Sequence, residues 1–156
     1  MGRLRRVVVG GLVVAPLLLS VGTAGAAGTA KHFGHVTCHG GKIRAGTYRS
    51  LTIAGNCTLT AKGTAHVRGN VVVRGHGFLN TLTTGTFNVD GNLTVRNDGI
   101  AELGCNDEVG CPTESNAHIG GNLTGDGAWA VIVEQEHVGG NITIVGGGGS
   151  QACSST

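Results

Sequence analysis

The sequence predicts an all-β fold, a short single-stranded parallel β-helix (solenoid) of about five coils, on three observations. One frame recurs along the chain: an apolar residue, a spacer, Gly-Asn, and then two apolar residues separated by one position. This alternation has the period of a strand and not of a helix. The Gly-Asn pairs recur about every 21 residues, near the short end of the range for solenoid repeats. The chain also has 30 glycines set among β-branched residues, which leaves little to favour a helix after its first segment.

Each Gly-Asn pair is predicted to form a corner or bulge of one coil. Glycine tolerates positive φ, and the asparagine amide can bond to the local backbone. The predicted corner residues are Gly55, Asn56, Gly69, Asn70, Gly91, Asn92, Gly121, Asn122, Gly140 and Asn141. The alternative is an antiparallel β-sandwich, in which Gly-Asn would be the turn of a hairpin.

Alternate residues of each copy are predicted to point into one core. Successive copies of the frame hold the same kind of aliphatic residue at the same place, namely Val67, Val89, Ile119 and Val138. Because side chains of a strand alternate between its two faces, we expect these four residues to stack in one buried column.

The first 26 residues have the features of a secretory signal peptide. They begin with Met-Gly-Arg-Leu-Arg-Arg, continue as an apolar run from Val7 to Leu19, and end in Ala24-Gly25-Ala26. The apolar run is shorter than the about 20 residues that a membrane-spanning helix needs. We therefore expect a protein of the extracellular space or cell envelope with no membrane span in its mature form. A retained N-terminal anchor is the alternative.

Four segments are predicted along the chain. They are the signal peptide 1–26, a flexible N-terminus 27–35, the β-helix domain 36–149 with an insertion loop 97–116, and a flexible C-terminal tail 150–156. The insertion is placed in the longest interval between Gly-Asn pairs and is polar at its tip.

The charge of the mature chain excludes an electrostatic case for nucleic-acid binding. Three of the 11 basic residues lie in the leader, which leaves eight against nine acids and a net charge of −1 with histidine neutral. The two signs are separated: the remaining Lys and Arg lie between Lys31 and Arg96, and every acid lies between Asp90 and Glu136. This separation suggests that the basic half of one copy meets the acidic half of another.

Five cysteines in an exported chain predict disulfides. Proximity favours Cys38–Cys57 and Cys105–Cys111, although four cysteines can pair in three ways. Cys153 is left over, and it can be free, pair between chains or replace one of the other four.

No catalytic residue, metal site or cofactor is predicted. The residues whose spacing would suit a metal are His32, His35, Cys38 and His39. A flexible terminus with a disulfide cysteine is the favoured interpretation of that group. Three histidines hold one place in the frame, and the last two are expected to stack outside the core: His66, His118 and His137. Neither grouping is therefore assigned a ligand.

The acidic residues do not indicate an enzyme. Those that could serve an acid-based active site are scattered: Asp90, Asp98, Asp107, Glu108 and Asp126. The chain carries no Gly-x-Ser-x-Gly, His-Glu-x-x-His or phosphate-loop motif. We therefore predict that the protein is not an enzyme.

A resemblance supports this architecture. It is carried by the run from Cys38 through 46–53 to Cys57, by the three frames that open with histidine, and by the ending 144–149 with Cys153. These features resemble a group of small exported bacterial proteins with right-handed parallel β-helix repeats of the pectin-lyase-like sort. The resemblance implies export and a right-handed helix, the hand that parallel crossovers favour in general. It implies no catalytic residue here.

These observations predict a non-enzymatic structural or binding module, self-associating end to end through its unpaired strand edges. One alternative is a glycan-binding module, with Trp129 as the only indole and a flat face of hydroxyls and amides from Thr58, Thr60, Asn70, Thr94, Thr124 and Thr143. The other is a degenerate β-helix of the polysaccharide lyase or hydrolase kind.

Overall fold

The computed structural model describes residues 31–104, 117–134 and 136–147. Within these ranges the chain is all β, with fifteen strands and no helix. In chain order the strands are β1 (His32–Cys38), β2 (Gly41–Ile43), β3 (Gly46–Ile53), β4 (Asn56–Leu59), β5 (Thr64–Val67), β6 (Val71–Val73), β7 (Phe78–Asn80), β8 (Thr86–Val89), β9 (Leu93–Arg96), β10 (Ile100–Leu103), β11 (Ala117–Ile119), β12 (Leu123–Ala128), β13 (Ala130–Val133), β14 (His137–Val138) and β15 (Ile142–Gly147). None of the described segments forms a helix long and apolar enough to span a membrane.

All strand pairs in the described ranges are parallel, and they form two sheets. The larger sheet has ten strands in the order β14-β11-β8-β5-β3-β6-β9-β12-β15, with β1 paired to β3. The smaller sheet has five strands in the order β13-β10-β7-β4-β2. From β4 onward each strand pairs with the strand three places later in the chain, as in β5 with β8 and β6 with β9.

The antiparallel β-sandwich considered as an alternative is therefore wrong. A hairpin would require the two strands beside each Gly-Asn pair to bond to each other. Instead, β5 and β6 both pair with β3, β5 along its first residues and β6 along its last.

The predicted aliphatic column is confirmed. Val67 lies opposite Val89, Val89 opposite Ile119, and Ile119 opposite Val138. The first three are fully buried, and Val138 packs on the core while partly exposed. Tyr48 continues the column below Val67 and is also buried.

Two predicted boundaries differ from the structure. Strand β1 begins at His32, inside the segment expected to be flexible, because it pairs with β3 along its whole length. Strand β10 occupies the start of the predicted insertion loop, where it pairs with β7 on one side and β13 on the other. The predicted signal peptide, the rest of the insertion and the predicted C-terminal tail lie outside the described residues.

Candidate functional site

Four of the five Gly-Asn pairs form corners that lie directly on one another. They stand at 69–70, 91–92, 121–122 and 140–141, each between two successive strands of the larger sheet. A Cβ atom on Gly121 would lie 2.7 Å from the carbonyl oxygen of Gly91 and 2.5 Å from Oδ1 of Asn92. None of the four glycines has φ in the left-handed region. The predicted reason for glycine at these corners, a positive φ, was therefore wrong. A Cβ atom is excluded because atoms of the preceding Gly-Asn corner occupy the space that it would need.

The asparagines bond from one corner to the next and not to their own backbone. The backbone N–H of Asn92 donates to Oδ1 of Asn70 at 2.9 Å, and that of Asn122 donates to Oδ1 of Asn92 at 2.8 Å. The N–H of Asn141 donates in the same way to Oδ1 of Asn122 at 2.8 Å. These amides therefore form a ladder that fixes the register of the corners.

Gly55-Asn56 was predicted to be equivalent to the other pairs, and this is wrong. It lies between β3 and β4, and Asn56 is opposite Phe78 in the smaller sheet. Only two residues lie between Tyr48 and Leu51, whereas three lie between Val67 and Val71, so β3 crosses the corresponding corner as one continuous strand.

Left-handed backbone occurs at the opposite corner, after β6 and β9. His76, Asn97 and Asp98 are the non-glycine residues with positive φ in the described ranges, at 59°, 46° and 64°. The N–H of Asp98 donates to the carbonyl oxygen of Gly127 at 2.8 Å, and Gly127 itself has a φ of 64°. Conformations of this kind cost energy and concentrate at functional sites, which makes this second corner a candidate binding site.

The predicted Cys38–Cys57 disulfide is present, with a Cα–Cα distance of 6.3 Å. It joins the end of β1 to β4 across 19 residues of sequence. On a chain-entropy account a loop of this size contributes roughly 3 kcal/mol. The predicted Cys105–Cys111 pair and Cys153 lie outside the described residues.

The histidines of the frame form one stack and one hydrogen bond. The rings of His118 and His137 are stacked, with centroids 5.0 Å apart and planes at 4°, as predicted. His66 does not join them: it lies opposite Asn88, and its Nε2 is 2.7 Å from Oδ1 of Asp90.

The N-terminal His and Cys residues are engaged elsewhere. Cys38 is in the disulfide, and Nδ1 of His35 lies 2.6 Å from the Ser50 hydroxyl. In the part of the chain that the structure describes, no three His, Cys, Asp or Glu side chains converge on a point that could hold a metal ion.

Two of the five candidate acids meet at the second corner. Asp98 and Asp126 lie on neighbouring strand segments, where the N–H of Asn97 donates to the Asp126 carbonyl oxygen at 3.0 Å. Asp90 directly follows β8, before the Gly91-Asn92 corner, and its carboxylate is hydrogen-bonded to His66. Asp107 and Glu108 lie outside the described residues.

The proposed polar face is divided between the two sheets. Thr94, Thr124 and Thr143 are register partners on adjacent strands of the larger sheet, with Asn70 at its corner. Thr58 belongs to β4 of the smaller sheet, and Thr60 follows that strand. The structure thus brings three of the six predicted residues into one row.

Two shallow hollows adjoin at the second corner. One, of about 420 Å³, is lined by His76, Asp98, Ile100 and Trp129. The other, of about 500 Å³, is lined by Thr52, Val72, Arg74, Gly75, Arg96 and Asn97. Sequence reasoning missed the arginines, although both follow a Gly-Asn frame at the same place, as Val73-Arg74 and Val95-Arg96.

Glu136 was also missed, because nothing in its local sequence indicates burial. Both of its carboxylate oxygens are buried and have no hydrogen-bond partner among the described residues. Burial without a compensating charge raises its pKa from 4.5 to about 8. At neutral pH the group is therefore predominantly protonated.

Gly121→Ala tests the contact between corners. We expect a loss of about 1–3 kcal/mol in the free energy of unfolding, measured by urea titration, because the new methyl group meets backbone atoms that cannot move independently. Gly34→Ala is the matched control, since nothing lies within 4 Å of its Cβ position. Equal effects of the two substitutions would contradict the close approach.

Glu136→Gln tests the buried carboxyl group. Since its folded-state pKa is raised, its contribution to stability is complete below about pH 4.5 and is lost as pH rises through about 8. Over this interval we expect the free energy of unfolding of the wild type to fall by up to a few kcal/mol relative to that of Glu136→Gln. Each unit of pKa shift contributes roughly 1.4 kcal/mol to this difference. Parallel stability curves of the two proteins from pH 4.5 to 9 would contradict it.

Comparison with known proteins identifies no relative of the chain: no protein-family model, curated protein or solved structure matches it significantly. The resemblance to small exported proteins with pectin-lyase-like repeats stays a prediction. Functional conclusions therefore depend on the geometry of the described residues.

Proposed function

We propose that this protein is a non-enzymatic structural module of the cell envelope or extracellular space, that its chain winds as a right-handed parallel β-helix, and that its copies associate end to end. The pairing of each strand with the one three places later supports the winding, since a chain of this kind returns to each face once per turn. With this winding, the described strands would make five turns and the start of a sixth. The right hand follows the general bias of parallel crossovers.

The observation that carries end-to-end association is the open core at the C-terminal strands. Leu51, Val71, Leu93 and Leu123 are successive register partners with at most 1% exposure. The next partner, Ile142, is 56% exposed. The neighbouring column ends in the same way at Ile144, which is 55% exposed. Apolar surface of this kind is stabilised by a partner that removes it from water.

The strand edges support a head-to-tail arrangement. In the described ranges β13, β14 and β15 each have a neighbour on one side only, and so do β1 and β2 at the other end. Stacking β15 of one copy on β1 of the next would continue the parallel order and bond both edges. Phe33 and Val36, which are half-buried on β1, would then face the exposed isoleucines.

The charges at the two ends of the molecule support the same head-to-tail direction. The N-terminal end exposes Lys31, Lys42 and Arg44, and the C-terminal strands expose Asp126. Glu136 adds little negative charge at neutral pH, because its pKa is raised to about 8. Apolar contact is therefore the main attraction, and charge mainly orients the copies.

Multi-angle light scattering of the purified protein across concentration tests the proposal. We expect oligomers that grow with concentration and persist in about 0.5 M NaCl, where paired surface charges are largely screened. The double substitution of Ile142→Lys with Ile144→Lys should give a monomer, because it places two charges on the apolar end.

Thr94→Lys is the matched control, since Thr94 is partly exposed on β9, in the middle of the larger sheet and away from both ends. It should leave association unchanged. A wild type that is monomeric at every concentration would reject end-to-end assembly. Comparing the thermal unfolding of the variants with that of the wild type shows whether a variant has lost only the contact between copies or has failed to fold.

A further inference from the structure

The geometry points to a binding site for an acidic glycan at the second corner, and we propose that Trp129 holds a sugar ring while Arg74 and Arg96 hold its anionic substituent. This site is on the side of the molecule, so the proposal is independent of assembly through the ends. The shared chemistry is a sugar that carries a carboxylate or a sulfate ester.

The two arginines form a pair of like charges that has no ion-pair partner within the described part of the chain. Val73 and Val95 are register partners, so the residues that follow them, Arg74 and Arg96, lie one strand apart, at about 4.8 Å. Both side chains are exposed, and neither forms an ion pair or hydrogen bond within the described part of the chain. Like charges on adjacent strands are destabilising. An anion between them would relieve that repulsion and accept charge-assisted hydrogen bonds.

Neither Asp98 nor Asp126 forms an ion pair with these arginines. Asp126 is the register partner of Arg96 on the next strand, where it attracts Arg96 across one strand spacing without bonding to it. Asp98, two residues after Arg96, lines the adjoining hollow and not the one that the arginines line. The hollow of the arginine pair thus has two cations and no acid in its wall.

Trp129 supplies the sugar-binding surface. Its side chain is 47% exposed, and no ring or cation of the described residues stacks on it. Its backbone is fixed, because the backbone N–H of Trp129 donates to the carbonyl oxygen of Gly99 at 2.9 Å and the next residue, Ala130, pairs with Ile100. An amphipathic indole held between two paired strands, β12 and β13, can contact the apolar face of a sugar at low entropic cost.

Asp98 and His76 supply hydrogen bonds beside the indole. Both side chains are exposed and have no partner among the described residues. Both residues are held in left-handed backbone, with φ of 64° and 59°. A carboxylate accepts bonds from sugar hydroxyls, whereas a simple inorganic anion would be repelled by it. The combination favours a sugar with an anionic group over a free anion.

A glycan is also favoured over a nucleic acid. Single-stranded nucleic acids need several exposed rings for successive bases. Among the Phe, Tyr and Trp side chains of the described ranges, Trp129 alone is exposed, because Tyr48 and Phe87 are buried and Phe33 and Phe78 are half-buried.

Titration of the purified protein with three tetrasaccharides tests the site. Chondroitin tetrasaccharide carries carboxylates, chondroitin 6-sulfate tetrasaccharide carries carboxylates and sulfates, and chitotetraose is neutral. Trp129 is the single tryptophan of the chain, so its fluorescence reports occupation directly. We expect a fluorescence change and saturable binding with at least one acidic tetrasaccharide, and at least about tenfold weaker binding of chitotetraose. If both acidic tetrasaccharides bind with similar affinity, the arginines recognise the carboxylate. If only the sulfated one binds, they recognise the sulfate.

Variants then separate the site from general electrostatic attraction. Two variants should each weaken binding about tenfold or more: the double substitution Arg74→Ser with Arg96→Ser, and the single substitution Trp129→Ala. Binding to the Trp129→Ala variant is measured by calorimetry. Arg49→Ser with Arg68→Ser is the matched control, because these arginines are also exposed neighbours, on β3 and next to β5, and their loss removes the same charge. It should change affinity less than about twofold.

Several results would overturn the proposal: no binding of any probe, equal binding of chitotetraose, or an equal loss in the Arg49/Arg68 control. Binding of an oligothymidylate through the same three residues with equal affinity would replace the glycan with a nucleic acid. Every substituted side chain is exposed, and unchanged thermal unfolding of each variant checks that binding alone is altered.

Discussion

The fold depends on how closely successive corners of the larger sheet approach one another. At each Gly-Asn corner the glycine N–H donates to the glycine carbonyl oxygen one corner below, at 3.2 Å from Gly91 to Gly69 and at 2.9 Å for Gly121 to Gly91 and for Gly140 to Gly121. The asparagine amides repeat the same step with side-chain oxygens. These bonds require that no Cβ atom intervene, so glycine at this position sets the spacing at which every other residue meets its counterpart.

Register has opposite consequences inside and outside the fold. Inside, it places aliphatic residues on aliphatic residues, which buries the columns through Val67 and Leu93 except at their last members, Val138 and Ile142. On the outer face it places similar residues next to each other whether or not their contact is favourable, as with Thr94 and Thr124 and with Arg74 and Arg96. Binding chemistry is therefore concentrated where stacking leaves groups unsatisfied, at the second corner and at the end where Ile142 lacks a cover.

Much of this arrangement could be predicted from the sequence, because strand alternation and a repeating frame identify residues that share a column. The frame does not show what lies above a residue in space, and this is why the role of glycine was misassigned. Gly55-Asn56 was placed at the wrong corner, since a one-residue difference in β3 is invisible without the register. Strand β10 lacks the frame and was taken for a loop. The site around Trp129 combines single residues that are far apart in the sequence, and no local pattern links them.

The most direct test of the account is a methyl NOE spectrum of the protein with labelled valine and isoleucine. Val67, Val89, Ile119 and Val138 occupy one column in the structure, so we expect cross-peaks from Val67 to Val89, from Val89 to Ile119 and from Ile119 to Val138. Residues two steps apart, such as Val67 and Ile119, should give none, because two strand spacings separate their Cα atoms by about 9.6 Å. The account would be contradicted if these three cross-peaks were absent and the methyl groups were in contact with water. The stacked register would then be wrong, and both the proposed glycan site and the open C-terminal end depend on it.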